Sequence, residues 1–398
     1  MSARAATNDE RLSAYAGLHD SSLAIALAPA TSRAPHVNLV LPSVAPDEIF
    51  AGVKTAVQAA IVLGRRLGLP LRFIAMHESG SEGSYAETHT YLTSTFDIAP
   101  DRLTLLSRAG LFAEGFGVDD YWIATYWTTA HALDVAQKGG SVDPARVVYL
   151  VQDYEPGFFP WSSESSIASS TYHAPFTIVV NSLPLRNYLA STEGVHIADD
   201  LVFAPHFDVA SMRRVAAARD ELAPRDTPRI FFYGRPGKPR NLYTVGLTAL
   251  RLAVTALHAD GVAVEVVSAG LPHADIDLGH GTTMSSLGRL DWEEYCDLLA
   301  GVDVGLSLQK SAHPSHPPLE IAMSGAWAVT NEFAGTREDL HPRQVVRHDD
   351  PESLADGVVE AVRRSSGPEA RTFLEPDLQL LGRDFDDVLG RVAALLPQ

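Results

Sequence analysis

The sequence predicts an α/β protein made of two doubly wound domains, and three observations carry that reading. The chain has 398 residues, more than one hydrophobic core usually supports, so about two domains are expected. Short apolar runs alternate with amphipathic stretches of ten or more residues, the pattern of βαβ units with parallel strands and right-handed crossovers. The alternation runs through once and starts again near residue 229.

In the first half, strands are expected at 36–42, 71–77, 121–125, 147–153, 176–182 and 201–205, with helices at 48–68 and 128–140. In the second half, strands are expected at 229–234, 262–269, 302–308 and 327–331, and helices at 240–258, 291–301, 316–324 and 351–364. Residues 1–35 form a polar N-terminal extension. The charged stretch 206–227 is expected to hold the boundary, giving a first domain at 36–208 and a second at 209–398, whose terminal helix is free to pack back on the first.

Composition narrows the function. Hydrophobic residues make up 46% and charged residues 20%, and no apolar run is read as long enough to span a bilayer. Residues 1–35 lack the order of a signal peptide, so a cytoplasmic enzyme is expected, at most touching the inner face of the membrane. A net charge of −18 argues against nucleic acid as a partner. The single cysteine, Cys296, excludes a disulfide framework and reads as a buried, inert thiol.

Three local signals stand out. The run GRPGKPRN (234–241) places three cations within six residues and has no acid nearby. In HPSHPPLE (313–320), Pro317 and Pro318 suit the first turn of a helix that follows a strand, and Glu320 lies just inside it. Open α/β domains bind nucleotides there, and a carboxylate can accept both ribose hydroxyls. In QDYEPGFFPW (152–161), Asp153 and Glu155 are interleaved with Tyr154, Phe158, Phe159 and Trp161. Aromatic faces stack on sugar rings while carboxylates take their hydroxyls, so Asp153, Tyr154, Glu155, Phe158 and Trp161 are expected to form an acceptor site. The triplet Asp275-Ile276-Asp277 could ask for a divalent cation, but it is expected in a loop and reads as a chance match in an acidic chain. No GxGxxG follows the first strand, and neither GxSxG nor HExxH occurs.

In this order the segments resemble retaining glycosyltransferases of family 4, and more closely bacterial rhamnosyltransferases of the WsaF type. The likeness spans roughly 36–390 and is carried by YLVQDYEPGFFPWSS (149–163), FYGRPGKPRN (232–241) and HPSHPPLE (313–320). It implies the GT-B fold, two Rossmann-like domains facing across a cleft, with donor on the C-terminal side and acceptor on the N-terminal side. It also implies transfer of L-rhamnose from dTDP-rhamnose to a surface glycan or glycolipid, with retention of configuration, no metal and no cofactor. A homodimer is left open. Arg235, Arg240 and Glu320 would carry catalysis; Gly52, Gly234, Lys238, Arg289 and Leu290 would join them around the donor. Two departures from the pattern matter. Position 312 is Ala where the first of two paired glutamates stands, so His313, Ser315 and His316 are expected to wall the donor sugar instead. Ala51 replaces one of two glycines beside Gly52. The alternatives are a GT-B nucleotide-sugar epimerase and a non-catalytic, two-lobed sugar-binding protein.

Overall fold

The computed structural model describes residues 12–45, 49, 52–77, 82–222, 225–367 and 371–398. Ala51 and most of its loop therefore lie outside the described residues. The chain divides into two compact units, Met1–Ala204 with Gly382–Gln398, and Pro205–Leu381.

Among its described residues the first unit holds nine strands: β1 (Ala30–Thr31), β2 (Val37–Leu41), β3 (Leu71–Ala75), β4 (Leu103–Ser107), β5 (Phe116–Gly117), β6 (Tyr121–Ala124), β7 (Val147–Val151), β8 (Thr177–Asn181) and β9 (Val202–Phe203). Seven make one parallel sheet in the order β4-β3-β2-β6-β7-β8-β9, and β1 pairs separately with β5. Both faces of such a sheet are covered, which is why β2, β3, β6 and β7 are buried along their whole length. Helix Gly52–Leu67 lays Ala56, Val57, Ala60 and Leu63 on one face. The terminal helix Phe385–Leu395 adds Val388, Leu389 and Val392 to the same core, and Arg66 donates to the Asp386 carbonyl at 3.0 Å.

The second unit contains β10 (Arg229–Gly234), β11 (Glu265–Gly270), β12 (Ile276–Gly279), β13 (Thr282–Ser286), β14 (Val304–Leu306), β15 (Trp327–Asn331) and β16 (Gln344–Arg347). Their order is β12-β13-β11-β10-β14-β15-β16, and only β12 runs antiparallel to its neighbour. In each sheet the order reverses beside its first long strand. The switch points, between β2 and β6 and between β10 and β14, are where such folds bind ligands outside the carboxyl ends.

Several expectations are corrected. The stretch expected to hold the boundary forms a helix, Val209–Glu221, belonging wholly to the second unit. The division falls after Ala204 instead of after 208; residues 382–398 join the first unit, the packing that the sequence left open to the terminal helix. Residues 12–28 of the extension pack onto helix Trp127–Lys138: Ser22 bonds His131 at 2.9 Å and the His19 ring meets Trp127 edge-on. The segment Pro239–Ala259 is apolar and long enough to cross a membrane by composition, contrary to the sequence reading. Its apolar residues Ala249, Leu250, Ala253 and Leu257 are core contacts of helix Tyr243–Ala259.

Candidate active site

Two loops flank the switch point of the second sheet. The first follows β10, and its opening residue is glycine for a steric reason: a Cβ on Gly234 would lie 2.3 Å from the Ser268 hydroxyl. Arg235 comes next, with its guanidinium 5.9 Å from the Tyr233 ring centre. Among the described residues neither Arg235 nor Lys238 pairs with a carboxylate. In a chain with net charge −18, two such cations on a ligand-binding edge are prepared for an external anion.

The second loop follows β14 and is stitched to the first. The Lys310 amide donates to the Arg240 carbonyl at 2.7 Å, and Asn241 donates to the Leu308 carbonyl at 3.1 Å. Arg240 also lends its charge to the His313 environment. Ala312 is fully buried, and His313 and Ser315 stand beside it, almost buried. The Ser315 amide donates to His313 Nδ1 at 3.1 Å, so the neutral ring carries its proton on Nε2. Burial first, then the charges of His316, Arg337 and Arg240, hold the His313 pKa well below its ordinary value. His316 stacks on His313 at 5.6 Å, and burial pushes its pKa down to about 4. The loop thus offers neutral imidazoles.

Sequence reasoning missed what holds this loop. Arg337 is fully buried and donates to the carbonyls of Gln309 at 2.6 Å, Asn331 at 2.7 Å and Ser311 at 3.0 Å. Asn331, also buried, takes the Gln309 amide at 2.7 Å. The only trace in the sequence was a cation shortly after the strand WAVTN.

Glu320 sits in helix Pro317–Met323 and is buried against Tyr295, whose hydroxyl stops short of hydrogen-bond geometry. Burial raises its pKa to about 7, Tyr295 opposes the rise weakly, and the Asp208 charge adds to it. A raised carboxyl pKa means the protonated native state is favoured. Its contribution to stability is therefore complete below the unfolded value near 4.5 and is lost as pH rises through 7. Glu320→Gln, neutral at every pH, is expected to stabilise the protein at pH 8 by on the order of 3 kcal/mol and to leave it nearly unchanged at pH 4.5. Thermal melts of both proteins at the two pH values test this; an equal difference at both would put the carboxyl in water.

The remaining donor candidates are less enclosed. Arg289 is exposed and Leu290 half-buried, in the turn where the Gly288 carbonyl accepts the Gly270 amide at 2.8 Å. Gly52 lies in the first unit and opens helix Gly52–Leu67. Its carbonyl accepts from Gln152 at 2.8 Å, and that side chain occupies the space beside its Cα.

At the carboxyl edge of the first sheet the aromatic run divides in two. Glu155 turns inward, only 3% exposed: it accepts the Trp127 amide at 2.5 Å and the Tyr149 hydroxyl at 3.4 Å. A carboxylate at the first turn of helix Trp127–Lys138 meets the positive end of its dipole, so Glu155 serves the scaffold instead of an acceptor. Tyr154 likewise donates to Glu193 at 2.6 Å and stacks on Tyr172. Asp153 accepts its neighbour's amide at 2.8 Å. Trp161, fully exposed, and Phe158, stacked on Tyr126 at 6.4 Å, keep aromatic faces at the surface.

The Asp275 to Asp277 triplet lies at and within β12, not in a loop. Asp275 accepts the Ser286 amide at 3.2 Å and Asp277 the Gly279 amide at 2.8 Å, bonds that shape the hairpin. Burial pushes the Cys296 thiol up to about 11.

Comparison with known proteins bears on the family and the fold. Residues 36–182 match the model of the WsaF N-terminal domain and residues 228–359 that of the WsaF C-terminal domain. A curated relative, the O-antigen biosynthesis protein RfbC of Myxococcus xanthus, is 29% identical over 292 residues, which is 71% of this chain. The chain spans about a fifth of that relative's length, 21%. Among solved structures, Anabaena HepE in complex with UDP superposes with a TM-score of 0.55 at 11% identity, covering 91% of this chain and 95% of that one. Sucrose-phosphate synthase of Thermosynechococcus elongatus gives 0.52 at 14% identity, covering 91% and 95%. These neighbours share the GT-B fold, two Rossmann-like parallel-sheet units. With both domain models matched in order along its length, this chain belongs to the WsaF family.

Proposed function

We propose that this protein is a glycosyltransferase of polysaccharide or O-antigen assembly that moves L-rhamnose from dTDP-rhamnose with retention of configuration. The observation that carries the reading is the pair Arg235 and Lys238, cations without carboxylate partners at the carboxyl end of β10, with the neutral wall His313 to His316 across the same switch point. As the glycosidic bond to the donor breaks, negative charge grows on the departing diphosphate, and fixed cations stabilise it without reorganisation. Glu320 would hold the ribose and Trp161 and Phe158 would stack on acceptor sugar. Membership in the WsaF family supports the thymidine donor and rhamnose.

Cationic side chains take the role that a metal ion plays elsewhere, so we propose that no metal is needed. Among the described residues no three His, Cys, Asp or Glu side chains are grouped to hold an ion. Thermal melts of the whole chain with dTDP, UDP or GDP, each with and without EDTA, test donor and metal together. UDP is included because HepE binds it. A 100-fold excess of the right nucleotide over its Kd should add about 2.7 kcal/mol. The expected result is a shift with dTDP that EDTA leaves unchanged. A larger shift with UDP or GDP overturns the thymidine assignment, and a shift lost to EDTA overturns the metal-free account.

A further inference from the structure

The extension builds a groove that the proposed chemistry does not use. It lies at the carboxyl ends of β3 and β4, the same edge of the first sheet that carries Trp161, and has a volume of about 430 Å³. That is within the size range of small-molecule sites. Buried Met76 and Ala24 form its apolar floor, with Leu23 beside them. Leu27 and Phe112 stand over it with 54% and 57% of their surfaces exposed, large apolar faces left in water. Exposed apolar surface gathered around a concave floor is a feature of ligand-binding grooves.

The polar lining is Arg108, His77 and Asp20. Arg108 and His77 reach the groove, and among the described residues neither meets a carboxylate or any other side-chain partner. The Asp20 carboxylate, on the same lining, lies 2.9 Å from His19 Nδ1 and turns 63% of its side chain to water. An apolar trough next to unpaired basic groups, in a chain of net charge −18, complements a hydrocarbon joined to an anion.

We infer that this groove binds a single-chain lipid phosphate, the hydrocarbon lying on Leu23, Leu27, Met76 and Phe112 and the phosphate meeting Arg108 and His77. The inference rests on the glycosyltransferase reading only in taking that lipid to be the carrier of the glycan acceptor. It gives the extension a purpose: without residues 20–27 the groove loses one wall.

The probe is farnesyl phosphate, titrated calorimetrically into the full chain below its micelle concentration, with farnesol and inorganic phosphate as separate arms. Farnesyl phosphate should bind at one site, at least about tenfold tighter than either part alone, because both halves of the groove are then filled. Ala109→Trp, on the exposed rim, should fill the groove and abolish binding. Arg108→Gln should weaken it about tenfold, the effect of losing one charge-assisted contact. Leu395→Ser, at an exposed apolar residue of the terminal helix, should leave it unchanged. No binding, equal affinity for farnesol, or an Ala109→Trp variant that binds like wild type would overturn the inference. Nucleotide binding is followed in the same samples. Farnesyl phosphate bound without any nucleotide affinity keeps the groove and sinks the transferase reading; the reverse sinks only the groove.

Discussion

Replacing Arg235 with alanine is expected to lower kcat for sugar transfer by about 10²–10³-fold, the usual effect of removing one fixed donor from a developing anion. The melting temperature without ligand should not move. Arg235 is only half-buried and among the described residues forms no ion pair, so its loss orphans no described buried group. The charge it meets on the leaving diphosphate grows as the bond breaks, which puts the effect in kcat more than in KM. Lys238→Ala should cost less, because its side chain is exposed and an ammonium is strongly hydrated. Steady-state kinetics of both variants with the donor identified by thermal melts decide the matter. If Lys238→Ala proved the more damaging, the diphosphate would lie further along the loop than Arg235.

Much of the fold was legible because parallel strands, covered on both faces, read as unbroken apolar runs. β10 and β15 fall on the expected 229–234 and 327–331. The strands that sequence reading passed over are at or near edges. β12, β13 and β16 carry exposed or half-exposed polar positions, and β4 alternates, so none presents an apolar run. Helix Val209–Glu221 was not expected, because the stretch that holds it is dominated by charge and reads as a domain boundary. One of those charges is internal: Arg219 is buried and donates to the Ser324 carbonyl at 3.0 Å, a partner 105 residues away.

The site divided along the same line. Gly234, Arg235, Glu320 and the His313 to His316 run were singled out because each belongs to a local signal of strand end, glycine, cation or proline-started helix. Glu155 was misread for the converse reason. A carboxylate between aromatic residues looks like a sugar contact, and only the fold shows that the Trp127 amide already occupies it. The extension's role was equally hidden, since its contacts with Trp127 and His131 cross more than a hundred residues.

Arg337 had no local signal, and its replacement is expected to have the largest effect on stability. Arg337→Met should destabilise the second unit by roughly 2–5 kcal/mol. The carbonyls of Gln309, Asn331 and Ser311 lose a donor at once; Gln309 keeps the Asn331 side-chain amide at 3.1 Å, so up to two acceptors are left unsatisfied, at about 1–3 kcal/mol each. The methionine restores some packing volume and removes the desolvation cost of a buried cation, which keeps the net below the sum. For a unit of this size the melting temperature should fall on the order of 10 °C. Nucleotide affinity should fall with it at temperatures where the variant is still folded, because the carbonyls that Arg337 gathers belong to the loop that leads into His313 and Ser315. Arg337→Lys separates charge from geometry: an ammonium keeps the positive charge but cannot bridge three carbonyls with one planar fork. If lysine restored both melting temperature and nucleotide affinity, the charge beneath the loop would be what matters. A lysine variant as impaired as methionine would show that the loop is held by the shape of the guanidinium, and an unchanged melting temperature in Arg337→Met would remove the clamp from the account altogether.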